Sequence, residues 1–281
     1  MDNILREIAE QNNLELFGTE VLFGGDINMV YRLETDKGEF VVKCNDAQAF
    51  PGMFEAEHRG LELLRDSNSF IVPKVTTHNQ VDDTAYLLME YLPSGNKTDV
   101  FWRSFGEKLA QLHKTTRPTF GLDHDNYIGS LEQYNGAYNS AAEFYILQRL
   151  EPQFSLAEDN GFFFSRLEAF YTRISGEIPE EPSALVHGDL WNGNYMVSSN
   201  GSPVLIDPAV AFASREMDLA MMQLFGGFPA EVFEIYNENF PLEYDWEDRV
   251  SLWQLYYLLV HLNLFGAGYL RQVEAVLRKY E

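Results

Sequence analysis

The hydrophobic pattern changes its period once along the chain, and this change constrains the fold more than any other feature. Before the segment Leu92–Asn96 (LPSGN), which interrupts the pattern, short apolar runs such as Glu39–Cys44 are separated by glycine and charged turn residues. This arrangement is typical of β-strands. Beyond this segment, apolar residues recur at helical spacing, most clearly in the stretch from Trp246. We therefore predict an α+β, two-lobed fold, with a small antiparallel-sheet N-lobe over residues 1–91 and a mainly helical C-lobe over residues 92–281.

The charge balance excludes several classes of function. Asp and Glu number 43 against 20 Lys and Arg, which gives a net charge of −23. Because this surface would repel nucleic acid and anionic membranes, we expect neither as a partner. An anionic ligand such as ATP would need local cations or metal ions. The single cysteine, Cys44, excludes an intrachain disulfide and favours a reducing, cytoplasmic location. The polar N-terminus and the lack of a run of ~20 apolar residues predict no targeting or membrane segment.

The densest polar cluster lies in a short island of strand character within the helical half. Residues 187–194 have the sequence HGDLWNGN, and Asp207 follows the next strand-like run. The spacing matches the H-x-D-L-x-x-x-N catalytic loop of kinases, with Asp207 in the place of the D-F-G aspartate. In phosphoryl transfer from ATP, Asp189 would accept the proton of the attacking hydroxyl, and Asn194 with Asp207 would bind Mg²⁺. The alternative is a turn whose Asp and Asn side chains only cap the backbone, and the joint spacing of three residues disfavours it.

The N-terminal half contains the lysine and glutamate that such a reaction also needs. Lys43 lies in a strand pattern (FVVKC), and the helix after it contains several glutamates. Only Glu57 falls on the apolar stripe formed by Phe54 and Leu61. Since an unpaired buried carboxylate is costly, we expect Glu57 to pair with Lys43 and Lys43 to contact the α- and β-phosphates. The alternative is that Glu57 lies at the exposed edge of its helix.

Two further segments are candidates for nucleotide binding. Gly24 and Gly25 lie one strand ahead of the lysine strand, where backbone N–H groups could approach phosphate, although a Gly-Gly hairpin turn has the same sequence. The strand that ends at the lobe boundary contains Met89 and Glu90 and is followed by Leu92. We expect its backbone to contact the adenine edge, with Met89 packed behind the ring.

Together these motifs resemble those of the fructosamine kinase (ketosamine-3-kinase) family, and the resemblance runs nearly end to end. The segments that carry it are Phe23–Gly25, Met53–Glu57, residues 187–194, Ile206–Ala209, Glu216–Ala220 and Phe225–Pro229. Related aminoglycoside and choline kinases share the HGD motif and the later aspartate. They usually lack the equivalents of Trp191 and Pro208.

The resemblance implies a bilobal protein-kinase-like fold. It implies ATP-dependent phosphorylation of the sugar 3-hydroxyl of ketosamines, the adducts that glycation leaves on lysines. The phosphorylated adduct then decomposes, so the implied role is protein deglycation repair. The implied partner is a small-molecule ketosamine or a glycated lysine on a protein, and no oligomeric state is implied.

The resemblance also places residues around the acceptor. Trp191 is either a wall for the sugar or a core residue. Asn135 and Arg149 belong to a stretch that lies near the acceptor in this family, so both are candidate substrate contacts. In that stretch Ala137 and Ala141 stand where the family usually has two tryptophans, so the identity of the acceptor is left open.

Two residues are expected to support the catalytic loop. His187 would brace it through hydrogen bonds, and Asp218 would accept hydrogen bonds from its backbone N–H groups, as in related kinases. Two other functions compete with ketosamine phosphorylation. One is a kinase for another amino sugar, amino alcohol or sugar. The other is a catalytically silent binding protein. This alternative is disfavoured because the chain retains all five residues with proposed roles in phosphate binding, catalysis or metal binding: Lys43, Glu57, Asp189, Asn194 and Asp207.

Overall fold

The computed structural model describes residues 1–22 and 27–280, which fall into two compact units. The first unit contains Met1–Phe101 and Tyr195–Asp207. The second contains Trp102–Asn194 and Pro208–Glu281. The units therefore differ from the predicted lobes in two segments, residues 92–101 and 195–207, which join the N-terminal unit.

The elements within the described residues follow the predicted change from strands to helices. The strands are β1 (Leu16–Leu22), β2 (Met29–Thr35), β3 (Gly38–Asp46), β4 (Val75–Val81), β5 (Thr84–Glu90), β6 (Asn126–Ile128), β7 (Leu131–Gln133), β8 (Ala184–Val186), β9 (Tyr195–Val197), β10 (Pro203–Leu205) and β11 (Ala211–Ala213). The α-helices are α1 (Asp2–Gln11), α2 (Met53–Asp66), α3 (Phe101–His113), α4 (Ala141–Tyr145), α5 (Glu151–Asp159), α6 (Leu167–Ser175), α7 (Glu216–Leu224), α8 (Ala230–Asn239), α9 (Trp246–Phe265) and α10 (Leu270–Lys279). A π-helical turn (Ile146–Leu150) lies between α4 and α5, and a 3₁₀ turn (Ala267–Tyr269) follows α9.

The first unit is built on a five-stranded antiparallel sheet in the order β1-β2-β3-β5-β4. One face of this sheet forms a core with α1, whose Leu5 and Ile8 are fully buried. The hairpin of β9 and β10 belongs to the same unit because Val204 forms a β-bridge with Ile71 and Ser198 forms one with Ser94. These bridges explain why both segments depart from the predicted lobe boundary.

Strand β4 begins later than the sequence pattern predicts. The apolar run predicts a strand over residues 71–77, whereas the ladder with β5 begins at Val75. Pro73 lies within the predicted run, and proline has no N–H to donate to a ladder.

The second unit is organised around the 20-residue helix α9, which is buried along most of its length. It packs beside α5, α7 and α10, and the Tyr145 hydroxyl donates to the Leu252 carbonyl at 2.6 Å. Strands β8 and β11 form an antiparallel pair, in which β8 ends directly before the catalytic-loop sequence and β11 ends shortly before α7. The pair therefore positions the chain at residues 187–194.

The single helix predicted over residues 141–157 is interrupted by the π-helical turn. Pro152 near the start of α5 cannot donate an N–H to the carbonyl of Gln148, four residues earlier. Arg149 replaces that donor, since its Nη1 lies 3.1 Å from the Gln148 carbonyl oxygen. The local change of hydrogen-bond register follows from the proline.

Candidate active site

The first unit brings together three residues that are far apart in the sequence. Lys43 lies on β3, Glu57 on α2, and Asp207 shortly after β10. The Lys43 Nζ lies 2.6 Å from Glu57 Oε1 and forms a second, short ion pair with Asp207 Oδ1. The first pair is the one that the apolar stripe of α2 led us to expect. The second pair connects β3, which contains Lys43, to Asp207, which follows β10.

The charges of this cluster stabilise one another. Burial alone lowers the pKa of Lys43, but the carboxylates of Asp207 and Glu57 outweigh burial and hold that pKa above its ordinary value of 10.5. Burial, together with the Asp207 carboxylate, holds the pKa of the Glu57 carboxyl above its ordinary value, although the Lys43 ammonium opposes that effect. Lys43 is therefore a buried, permanent cation at neutral pH, and such a group can bind a phosphate anion.

Asp207 has an unusual backbone conformation. Its φ is 54°, in the left-handed region that residues other than glycine rarely adopt. Its side chain is 37% exposed although it contacts the buried Lys43. Such backbone strain concentrates at functional sites, and here it holds a carboxylate beside a cation while part of that carboxylate stays accessible.

The predicted nucleotide-contact residues have different environments. Gly24 and Gly25 lie outside the described residues. Met89 is buried on β5, whereas Leu92 is half-buried beyond the end of that strand. The Glu90 side chain accepts a hydrogen bond from the Lys74 backbone N–H at 2.8 Å, and the Glu90 N–H donates to the Lys74 carbonyl at 2.9 Å. The Glu90 carboxylate and N–H therefore hold the sheet edge, and adenine would have to be bound through other groups of this segment.

In the second unit, Asp189 and Asn194 lie on one compact loop. The Asn194 Nδ2 donates to the Asp189 backbone carbonyl at 2.8 Å and to the Asp189 Oδ2 at 2.9 Å. The backbone N–H of Asn194 donates to the Trp191 carbonyl at 3.0 Å. The spacing of five residues thus places the carboxylate and the amide side by side.

Asp218 on α7 anchors the start of this loop. Its carboxylate is fully buried and accepts hydrogen bonds from the backbone N–H of His187 at 2.7 Å and of Gly188 at 2.9 Å. His113 Nε2 lies 3.2 Å from the same carboxylate. Burial would raise the pKa of Asp218, but its hydrogen bonds and His113 hold that pKa below 3.8.

His187 contributes a further hydrogen bond within the loop. Its side chain is fully buried, and its Nδ1 accepts from the Asp189 backbone N–H at 3.3 Å. His113 is likewise buried beside Asp218 and donates or accepts a hydrogen bond with the Tyr236 hydroxyl at 2.9 Å. These contacts are the ones a supporting role requires.

Two groups that hold this loop were missed by sequence reasoning. The Tyr257 hydroxyl on α9 donates to the Gly188 carbonyl at 3.0 Å, and the Ala209 backbone N–H donates to the His187 carbonyl at 2.9 Å. Gly188 has a φ of 83°, and a Cβ there would collide with the Ala209 carbonyl. Tyr257 has the helical spacing of an apolar stripe in the sequence, four residues after Trp253. The usable signal was its hydroxyl, since a buried tyrosine needs a polar partner.

The three residues predicted to contact substrate lie in contrasting environments. Trp191 is 37% exposed, with its ring against Gly193, so it is not a core residue. Asn135 and Arg149 are both buried, and Arg149 Nη2 donates to Asn135 Oδ1 at 2.7 Å. Both side chains are buried against each other in this structure, and their contact with an acceptor stays a prediction.

The alanines that replace the family's tryptophans also differ in environment. Ala137 is exposed, whereas Ala141 is buried in the core of the second unit at the start of α4. The Ser140 hydroxyl caps that helix by accepting from the Glu143 N–H at 3.1 Å. Ala141 therefore serves packing.

Comparison with known proteins gives a consistent family. A family model described as fructosamine kinase matches residues 2–281. The chain belongs to the fructosamine kinase family. A protein named "probable ketoamine kinase" from Enterococcus faecium is 39% identical over 277 residues, covering 96% of this chain and 98% of that protein.

Solved structures extend this similarity to the fold. A candidate fructosamine-3-kinase from Haemophilus somnus has a TM-score of 0.89 at 27% identity, covering 99% of this chain and 96% of that one. A second, from Thermobifida fusca, has a TM-score of 0.88 at 34% identity, covering 99% and 98%. Aminoglycoside phosphotransferase APH(4)-Ia, at 14% identity and a TM-score of 0.62 over 98% of each chain, shares the kinase-like α+β fold. This fructosamine kinase family member is therefore a kinase, an enzyme that transfers phosphate.

The residues present fit the divalent metal ion that a kinase uses. Mg²⁺ prefers oxygen ligands and, in kinase sites, takes only a few from the protein. Asp207 offers a carboxylate. Asn194, in the second unit, has an amide oxygen in addition to the Nδ2 that donates to Asp189. Within residues 1–22 and 27–280, no three His, Cys, Asp or Glu side chains form a metal-binding group, and the kinase arrangement does not require one.

The helices of the described residues include none that is both long and apolar enough to cross a membrane. Helix α9 has the required length, but it is part of the core of the second unit.

Proposed function

We propose that this family member transfers the γ-phosphoryl group of ATP to a sugar hydroxyl of a ketosamine. The observation that carries the proposal is the buried Lys43 cation, held between the carboxylates of Glu57 and Asp207. A cation fixed in this way is a phosphate-binding group, and a protein that only needed a stable core would gain little from burying the charges of Lys43 and Glu57.

Residues of the first unit, with Asn194 of the second unit, would bind the nucleotide and its metal ion. The Lys43 ammonium would donate hydrogen bonds to the phosphates, and Glu57 would keep its Nζ in place. The partly exposed Asp207 carboxylate and Asn194 would bind Mg²⁺, which neutralises phosphate charge when it is bound. Binding of Mg-ATP is therefore expected to depend on the metal.

The residues of the second unit would act on the acceptor. Asp189 would accept the proton of the attacking hydroxyl as its oxygen forms a bond to the γ-phosphorus and the bond from that phosphorus to the ADP oxygen breaks. Asn194 keeps the Asp189 carboxylate oriented by donating to Oδ2. The exposed ring of Trp191 would form a wall for the sugar.

Charge and family support the ketosamine as acceptor. The net charge of −23 disfavours sugar phosphates and favours a neutral or cationic acceptor, and a ketosamine has an amine that is cationic at neutral pH. The Enterococcus faecium relative bears the name of a ketoamine kinase. We propose glycated lysines, free or on proteins in the cytoplasm, as the physiological acceptors, and their repair as the role.

An acceptor panel tests this proposal. Wild-type protein and labelled ATP would be incubated with lysines glycated by fructose-, ribulose- and erythrulose-type adducts, with an aminoglycoside, choline, free hexoses and a sugar phosphate. We expect the ketosamines to be phosphorylated with the highest kcat/KM. Turnover of a sugar phosphate or an aminoglycoside at least as efficient as that of every ketosamine would overturn the assignment.

Calorimetry tests the metal dependence separately. ATP should bind measurably with Mg²⁺ or Mn²⁺ present and far more weakly in EDTA. Equal affinity under both conditions would remove the metal-binding roles of Asn194 and Asp207.

A further inference from the structure

Four aromatic rings form a surface cluster where α9 ends in the second unit. The cluster, here called the aromatic patch, contains Phe225, His261, Phe265 and Tyr269. The His261 ring lies 4.8 Å from that of Phe225, 5.5 Å from that of Phe265 and 5.0 Å from that of Tyr269, centroid to centroid. Phe225 is 40% exposed and Phe265 is 57% exposed. Three ring systems thus surround a histidine and leave part of their faces in water.

The patch lies next to the catalytic loop. Gly227 has a φ of 91°, and a Cβ there would lie only 2.6 Å from the Cβ of Asn192, a residue of the loop. The backbone two residues after Phe225 is therefore packed against the loop that contains Asp189. Phe228 anchors the same segment, since its ring packs 5.5 Å from that of Phe105 on α3.

Helix α9 gives a second, independent link. Tyr257 on this helix donates to the Gly188 carbonyl, directly before Asp189. His261 is one turn further along, and its Nδ1 lies 2.7 Å from the Tyr257 carbonyl oxygen. Phe265 is eight residues beyond Tyr257, a rise of about 12 Å at 1.5 Å per residue. Phe265 therefore lies about two turns along the helix from the residue that contacts the catalytic loop.

The chemistry of the patch suits an organic cation with apolar substituents. A carbonyl only accepts, so His261 Nδ1 is protonated and the neutral ring has Nε2 as its acceptor. Burial lowers the pKa of His261, which keeps the ring uncharged at neutral pH. Uncharged aromatic faces attract ammonium groups through cation–π interactions and stack with other rings.

We infer that the aromatic patch binds the amine-derived half of the ketosamine acceptor, with a preference for amines that have aromatic or long apolar substituents. This inference rests on the proposed function, because it presumes that the sugar half reaches Asp189. It adds a second subsite that contacts the acceptor away from the reacting hydroxyl.

The test compares two acceptors that differ only in the amine. Fructose adducts of benzylamine and of methylamine would be assayed with wild-type protein and with the Phe265→Ala variant. The ratio of kcat/KM for the benzylamine adduct to that for the methylamine adduct should fall about 3- to 10-fold in Phe265→Ala, the loss expected for one aromatic contact. Phe163, which is 76% exposed and outside the patch, provides the matched control, and Phe163→Ala should leave the ratio unchanged.

A second variant, Phe265→Leu, keeps apolar area but removes the ring, so its ratio should lie between those of wild type and Phe265→Ala. Melting temperatures of all variants establish that they are folded. If wild type phosphorylates both adducts and Phe265→Ala keeps the wild-type ratio, the patch inference is wrong while the proposed function stands. If wild type phosphorylates neither adduct nor any other ketosamine, the proposed function fails and the patch inference fails with it.

Discussion

The candidate functional residues of the first unit and of the second unit, here called the first half and the second half, are held in place in different ways. In the first unit, three side chains from β3, α2 and the segment after β10 hold one another through charge. In the second unit, a loop of eight residues holds its own shape through local hydrogen bonds and is tied to the core by Asp218 and Tyr257. The first half depends on charge contacts between side chains of distant segments. The second half depends on the backbone conformation of one loop.

This difference determines how each half should respond to substitution. Removing one charge of the Lys43 cluster leaves its partner without a counter-charge, and because Lys43 and Glu57 are buried, stability and nucleotide binding should be lost together. The Asp189 carboxylate is not one of the charges of this cluster, and an amide in its place keeps its size, so replacing it should affect the reaction far more than the fold.

The Asp189→Asn variant should have a large effect on activity and little effect on the fold. It preserves size and most hydrogen bonds but removes the basic carboxylate, and general-base contributions are typically ~10²–10⁴-fold. We expect kcat to fall by that factor, with Mg-ATP affinity within a few-fold of wild type. Steady-state kinetics, calorimetry and melting curves on one preparation provide the measurement.

Asp207→Asn is the matched comparison for that variant. It also replaces a carboxylate by an amide, but at a residue proposed to bind metal and observed to pair with Lys43. Mg-ATP affinity should therefore fall together with kcat. A near-wild-type kcat in both folded variants would refute the assigned roles, and a fall in melting temperature alone would show that both residues are only structural.

Lys43→Met should cost about 3–5 kcal/mol of unfolding free energy, the usual loss when a buried charge is left without its partner. The reason is that Glu57 and Asp207 would remain close together without a cation. The double variant Lys43→Met/Glu57→Gln should recover part of that stability but no activity. Urea unfolding and kinetics on the same proteins measure both. Recovery of activity in the double variant would contradict a phosphate-binding role for Lys43.

Asp218→Asn should have an intermediate effect, about 1.5–3 kcal/mol, because it weakens charge-assisted hydrogen bonds to the loop backbone. The folded-state pKa of Asp218 is depressed below 3.8, so its stabilisation is present above that value and is lost as the pH falls through the folded pKa. The difference in unfolding free energy between wild type and variant should thus stay constant from about pH 7 to pH 5 and shrink in stronger acid. A difference that grew on acidification would contradict the assigned ionised state.

Much of the first half could be predicted from the sequence because its geometry follows from simple periodicity. Lys43 is part of an apolar strand, and Glu57 is on the apolar stripe of its helix, so burial forces them to pair. The pairing of Asp207 with Lys43 could not be predicted in this way. It depends on the β9–β10 hairpin joining the first unit through the bridges at Ile71 and Ser94, and no local pattern encodes these contacts.

The second half shows the opposite balance. Its motif spacing predicted which residues lie together, since five residues on a tight loop cannot separate far. The supports were harder to predict because they come from distant helices. Tyr257 has the same helical spacing as its apolar neighbours, and no local pattern indicates that Asn135 and Arg149 are buried against each other.

Glu55→Gln should have the smallest effect and serves as the control for α2. Glu55 pairs with Arg59 one turn away at 3.0 Å, but both side chains are about half exposed, unlike the Lys43–Glu57 pair on the same helix. Exposed pairs of this spacing contribute about 0.3–0.5 kcal/mol and are screened by salt. Urea unfolding should therefore show a loss of that size, reduced further at high salt, with wild-type kcat.

The corresponding Glu57→Gln variant should lose stability and activity with little dependence on salt, because its partner is buried. Equal effects of the two substitutions would mean that Glu57 acts only as a helix residue, and the distinction between a tertiary charge cluster and an ordinary surface pair in the first unit would fail.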